Sequence, residues 1–160
     1  MPTIRRATTA DAALIAQQRI QMFQDNQLPC STTWDELERV SVLWLADKIE
    51  SGDYVGLLLE DEKGLVVGGA GVWFMEWPPH FLHLEPKRAY LLNFYVIPEA
   101  RGHGLAKQLV RAAEDVCRER RVRVATLHAS PMGKPIYAAL GWKEGNEMMK
   151  RFNQDSLDTK

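Results

Sequence analysis

The stretch IPEARGHGLAKQL, residues 97–109, constrains the fold more than any other part of the chain. The apolar run before it, 89–97, reads as a buried central strand that ends at Pro98. Arg101, Gly102 and Gly104 follow. Leu105, Leu109, Ala112 and Val116 then recur at the three- and four-residue spacing of a helix with one apolar face. Lys107, Arg111, Glu114 and Arg118 fall mostly on the other side. A strand that turns through glycines into a helix able to cover a sheet requires an α/β architecture. Each glycine costs a helix interior about 1 kcal/mol relative to alanine, so the bare backbone at this turn needs a reason.

The first amides of a helix have no acceptor within it, and the helix dipole places partial positive charge beside them. Glycine admits an anion to that backbone without a Cβ in the way, so the stretch reads as a phosphate or pyrophosphate cradle. The guanidinium of Arg101 adds donors matched to the same charge. The dinucleotide fingerprint G-x-G-x-x-G fails because Lys107 takes the place of its third glycine, and no P-loop is present. On this stretch alone, turn glycines that merely cap a helix are the competing explanation.

The rest of the chain supplies a mixed sheet. TIRRA (3–7) reads as an edge strand, and residues 8–23 as a helix with Thr8 and Asp11 at capping spacing and Ile15, Met22 and Phe23 along one face. Thr33 and Glu36 form a second capping pair, opening a helix with Leu37, Val40 and Trp44 inward and Gly52 as its stop. Residues 54–60 and 65–77 read as an antiparallel hairpin around the turn DEKG. Gly68, Gly69 and Gly71 in its second strand suggest a bulge or a close approach by another backbone. A proline-rich loop spans 78–88, and a further strand is expected at 122–129. Residues 130–142 read as a short helix with Ser130 as its cap and Gly141 as its stop; Pro135 moves its start toward Gly133 or Lys134. A last strand is expected at 146–152, followed by a frayed tail, 153–160.

One domain over 1–160, with its core at about 3–152, accommodates all of this. A net charge of −1 argues against a nucleic-acid partner held by bulk charge. Cys30 and Cys117 lie outside any CxxC spacing and read as small buried side chains, and His80 and His83 have no companion ligands, so no metal site is expected. The early arginines are not followed by the apolar core of a secretory signal, and no apolar run nears the ~20 residues of a membrane span. A cytoplasmic enzyme or binding domain, with no membrane partner, is the expectation.

Arg101-x-x-Gly104-x-Ala106 resembles the [QR]-x-x-G-x-[GA] signature of the GNAT superfamily, the acyl-CoA-dependent N-acyltransferases. The apolar strand ahead of it, the strand VRVATLHA and Tyr137 followed by Leu140-Gly141-Trp142 extend the likeness over about 3–152. The resemblance implies a mostly antiparallel sheet flanked by helices, in which two central parallel strands, here 89–97 and 122–129, splay apart. Acetyl-CoA would be the co-substrate. Its pantetheine arm would pair with the backbone of Phe94, Tyr95 and Val96, and its pyrophosphate would rest on Arg101, Gly102, His103, Gly104, Leu105 and Ala106. Ser130 stands where many members carry an asparagine that bonds the cofactor.

Tyr137 is then the catalytic acid toward the departing thiolate, whose thiol has an ordinary pKa of about 8.5. An amine that arrives protonated must lose a proton, and Glu76 is the candidate base, with His80 and His83 behind it. Trp77, Tyr90 and Asn93 are expected in the acceptor pocket, with Trp34 and Trp73 as further aromatic candidates and His128 at a strand end nearby. The implied reaction is direct acetyl transfer to a primary amine of a small molecule in a ternary complex. A protein or peptide amine is the alternative acceptor, and a non-catalytic acyl-CoA sensor is the alternative outside enzymes. A homodimer is compatible with either.

Overall fold

The computed structural model describes residues 1–152. Its strands are β1 (Thr3–Arg6), β2 (Tyr54–Glu60), β3 (Val66–Glu76), β4 (Lys87–Val96) and β5 (Ala125–Leu127). Its helices are α1 (Ala12–Asp25), α2 (Trp34–Ser51), α3 (Leu105–Glu119) and α4 (Lys134–Ala139). The strands lie in the order β1-β2-β3-β4-β5, antiparallel throughout except that β4 and β5 run parallel.

Local chemistry sets the helix boundaries. The Asp11 carboxylate accepts from the Thr8 amide at 2.8 Å and is gripped by both terminal nitrogens of Arg5 at 2.9 Å, which fastens the entry to α1 onto β1. Thr33 accepts the Glu36 amide at 3.1 Å to start α2, and Gly52 ends that helix at φ +79°. The buried stripe of α2 runs through Leu45, with Trp44 and Ile49 beside it, so Val40 is left on the outer flank, 47% exposed, rather than facing inward.

The sheet is covered on both faces. Leu57, Leu59, Val72, Ala89, Leu91 and Val96 pack with α3, and Tyr54 and Leu58 pack with α1 and α2 on the other side. Along α3 the buried stripe is Leu105, Leu109, Val110, Ala113, Val116 and Cys117, so Ala113 takes the place expected of Ala112. Burial pushes the Cys117 thiol up to about 11, and Cys30 is also a free thiol.

Two expected strands differ. The 122–129 strand contracts to Ala125–Leu127 and forms the sheet's edge among the described residues. The last strand expected at 146–152 does not form. Three residues of β5 give little ladder to extend, and Met148, Met149 and Phe152 stay exposed, so no apolar face rewards pairing there. The expected tail, 153–160, lies outside the described residues.

Candidate active site

A bulge in β4 organises the site. On β3, Gly71 lies opposite Leu92 and Gly69 opposite Tyr95, so β4 spends three steps where β3 spends two. The extra residue is accommodated at Asn93, which sits at φ +60°, a left-handed conformation that asparagine tolerates better than most residues. The parity of the strand reverses there: Ala89 and Leu91 face α3 before the bulge, and Val96 does so after it.

The bulge delivers the Asn93 side chain to the α1 face, where it is buried. Its Nδ2 donates to the Tyr54 hydroxyl at 2.9 Å, and its Oδ1 accepts from Arg19 Nη1 at 2.7 Å. The glycines of β3 permit this arrangement. A Cβ on Gly71 would stand 2.0 Å from the Tyr54 hydroxyl oxygen and 2.3 Å from the ring carbon bearing it. One on Gly68 would meet the Tyr95 carbonyl at 2.6 Å, the close backbone approach that the sequence suggests. The remaining clearance serves side chains: Tyr54 over Gly71, and Gln18 over Gly69.

Beyond the bulge the parallel strands part. Ala89, Tyr90 and Leu91 pair with Ala125, Thr126 and Leu127, and the ladder stops there while β4 continues to Val96. A cavity of about 550 Å³ opens at this gap. Tyr90, Asn93 and Phe94 form its β4 wall, Arg19 comes from α1, and His128, Ser130 and Tyr137 close the β5–α4 side. Tyr90 and His128 are hydrogen-bonded through the phenol oxygen and Nδ1, and burial pushes the Tyr90 phenol upward.

Past the end of β4 lies the glycine turn. Gly102 and Gly104 adopt φ +83° and +76°, and a Cβ on either would meet nothing within 4 Å. They are therefore glycines because of their backbone angles, and the space beside them is open. Gln108 is the first amide of the turn to find a carbonyl, that of Gly104 at 3.2 Å. Among the described residues the amides from 102 to 107 have no backbone acceptor outside the helix, and those of α3's first turn have none within it. Such a row of free donors at a helix start fits a pyrophosphate.

Arg101 is committed differently from the expectation. Its Nε donates to the Val96 carbonyl at 2.8 Å and its Nη2 to Asp25 at 2.7 Å, tying the end of β4 to α1. The fork thus secures the turn rather than standing free for an anion. His103 Nδ1 lies 3.3 Å from the Ala100 carbonyl, and Leu105 is buried beneath the turn.

Tyr137 stands on α4 with its ring edge-on to Phe94 and Trp142, at centroid distances of 5.8 and 6.2 Å. Burial pushes its phenol up to about 12. Ser130 Oγ accepts the Gly133 amide at 3.1 Å, which leaves its hydroxyl proton for another acceptor. Pro135 falls in the first turn of α4, where its missing donor is harmless.

Glu76 and Trp77 are not brought to the cavity. Glu76 is exposed opposite Lys87 at the far end of the hairpin, and Trp77 stacks on the Arg88 guanidinium at 3.9 Å beside a separate hollow with His80 and His83. Trp73 stands between Trp44 and Tyr90, with centroid distances of 5.4 and 6.4 Å, and Trp34 is half-buried at the start of α2, so neither lines the cavity. Sequence reasoning missed Arg19 and Tyr54. Only the adjacent glycines of β3, which make room for a large neighbour, carried a signal for Tyr54.

Residues 19–142 match the family model described as the acetyltransferase (GNAT) family. A GCN5-related N-acetyltransferase from Ralstonia eutropha JMP134 is 34% identical, superposes with a TM-score of 0.87, and is matched over 95% of this chain and 99% of its own. An acetyltransferase from Clostridium acetobutylicum, solved with acetyl-CoA, shares the fold at a TM-score of 0.87 and 21% identity, over 95% of this chain and 96% of its own. An uncharacterized N-acetyltransferase of Bacillus subtilis, YhfO, is 29% identical over 88% of this chain and 89% of its own. Each of these matches spans most of both chains, and the two solved structures share this chain's fold. The chain belongs to the acetyltransferase (GNAT) family and is an acyl-CoA-dependent N-acetyltransferase with acetyl-CoA as its co-substrate.

Proposed function

We propose that the protein acetylates a primary amine of a small molecule by direct attack within a ternary complex. The observation that carries this reading is the single cavity of about 550 Å³ that joins the strand gap, Tyr137 and Ser130 to the Arg19–Asn93 wall. Both substrates can meet in it. Among the described residues its lining contains no cysteine and pairs no serine with a histidine, so nothing there favours a covalent acetyl-enzyme.

Acetyl-CoA supplies the activated acetyl thioester. The free amides at 102–106 hold its pyrophosphate, with Arg101 fixing the turn through Val96 and Asp25. The backbone of Phe94 to Val96, apart from the Val96 carbonyl already taken by Arg101, offers pairing for the pantetheine amides. Ser130 adds a donor at the mouth of α4. Tyr137, neutral well above physiological pH, donates its phenol proton to the sulfur as the thiolate leaves. Tyr90 Oη accepts the proton released by the amine and passes its own to His128 Nδ1. This pair replaces Glu76 as the proton sink, because it borders the cavity and Glu76 does not.

Initial-velocity kinetics test the reading. Intersecting double-reciprocal patterns for acetyl-CoA and amine support a ternary complex, whereas parallel patterns overturn it. Acetylation confined to protein or peptide amines would overturn the small-molecule assignment and leave the enzyme class intact.

A further inference from the structure

Arg19 is a cation placed in the cavity wall without a counter-ion. Its Nη1 donates to Asn93 Oδ1, and its guanidinium lies over the Phe23 ring at 4.6 Å from the centroid. Among the described residues no carboxylate comes within ion-pair distance of it, and the titratable groups that act on it are the phenols of Tyr54 and Tyr90. Burial lowers its pKa, the direction expected of a cation stripped of water and left uncompensated. A partly buried charge without a partner is costly to keep unless something supplies the opposite charge.

Among the described residues the cavity lining includes a second cation, Arg151, and neither aspartate nor glutamate, and Glu147, which acts on the Tyr90 phenol, is outside that lining. Such a wall repels a polycationic acceptor and favours one that brings its own negative charge. With Nη1 committed to Asn93, the remaining N–H groups of Arg19 still offer a planar set of donors that matches a carboxylate.

We propose that the acceptor is a small amine that also bears a carboxylate, and that Arg19 is the specificity-determining residue that binds it. This rests on the small-molecule reading above. Asn93 orients the guanidinium, and the bulge that turns Asn93 toward α1 therefore serves acceptor recognition.

The test uses matched pairs of primary amines, each an amino acid and its decarboxylated counterpart, with an aminoalkyl phosphate as a third arm. The expected result is a kcat/KM higher by on the order of tenfold or more for the carboxylated member, the scale of a hydrogen-bonded charge pair. In R19M that ratio falls toward one, chiefly through a rise in KM for the acid, and R19K restores part of it. Calorimetric binding of acetyl-CoA to R19M establishes that the variant is folded. Parity between paired amines in the wild type, or an unchanged ratio in R19M, overturns the proposal and leaves the acetyltransferase reading standing. A preference for the aminoalkyl phosphate over the amino acid overturns the carboxylate assignment. Turnover of peptide amines with none of the free amines overturns the small-molecule reading itself.

Discussion

The two sides of β4 are built from different materials. Toward α3 the site is main chain: free amides at a helix start, set by two glycines at positive φ within one short segment. Toward α1 it is side chain: Arg19, Tyr54 and Asn93 come from three elements, with 74 residues separating Arg19 from Asn93. A backbone site recognises what every acyl-CoA shares, and needs only that certain φ angles be affordable. A side-chain site can vary its charge and shape without disturbing that cradle. The proposed function therefore assigns co-substrate recognition to one side of the strand and acceptor choice to the other.

The largest expected effect falls at the seam between the two. Tyr137→Phe lowers kcat by about 10²-fold or more, the scale of a lost general acid, while calorimetric acetyl-CoA binding persists. Because burial pushes this phenol up to about 12, it keeps its proton throughout the neutral range, so it contributes no alkaline limb to the kcat profile below pH 11. Equal loss of kcat and of acetyl-CoA binding would make Tyr137 a packing residue and dissolve the seam.

Glycine substitutions then separate the two sides. Gly71→Ala drives a Cβ into Tyr54, an overpacking that costs about 1–3 kcal/mol and several degrees of Tm. Tyr54 and Asn93 must shift together, so the KM for the amine rises more than the KM for acetyl-CoA. Gly104→Ala meets no atom but must hold φ +76°, at a cost of about 1–2 kcal/mol, and reverses the pattern by weakening acetyl-CoA first. Identical kinetic signatures from the two variants would break the division of labour.

The smallest effect lies outside both halves and serves as a control. Hydrogen bonds from Arg5 hold the Asp11 carboxylate down at about 2, below its ordinary 3.8. A depressed acid contributes stability above its unfolded pKa and loses it on protonation. Stability therefore falls between about pH 4 and pH 2, by on the order of 1 kcal/mol once solvent screening at Arg5 is allowed for. Asp11→Asn flattens that part of an acid-denaturation curve and leaves both KM values unchanged.

The same contrast explains what could be read from the sequence. Thr33, Gly52, Gly102 and Gly104 announce themselves because caps and positive φ angles are local demands. The three glycines of β3 signal crowding but not its source, since Tyr54 lies in a different strand. Nothing in AYLLNFYVI marks the bulge at Asn93, because pairing with β3 and the bonds to Tyr54 and Arg19 compensate its left-handed backbone. Glu76 looked like a base on the assumption that the strand end faces the acceptor, but the hairpin runs past the cavity and carries it away. The 146–152 segment, expected as a last strand, has no period-two alternation to bury one face and no ladder of useful length to join.

The most direct test of the backbone cradle is a calorimetric titration of the wild type and Gly104→Val with acetyl-CoA, with ATP and NAD as controls. The account predicts saturable binding of acetyl-CoA in preference to both nucleotides, weakened at least tenfold in Gly104→Val because a β-branched residue cannot comfortably hold φ +76°. Equal affinity in the two proteins, or a preference for ATP or NAD, would contradict it and reduce Gly102 and Gly104 to the punctuation of a turn.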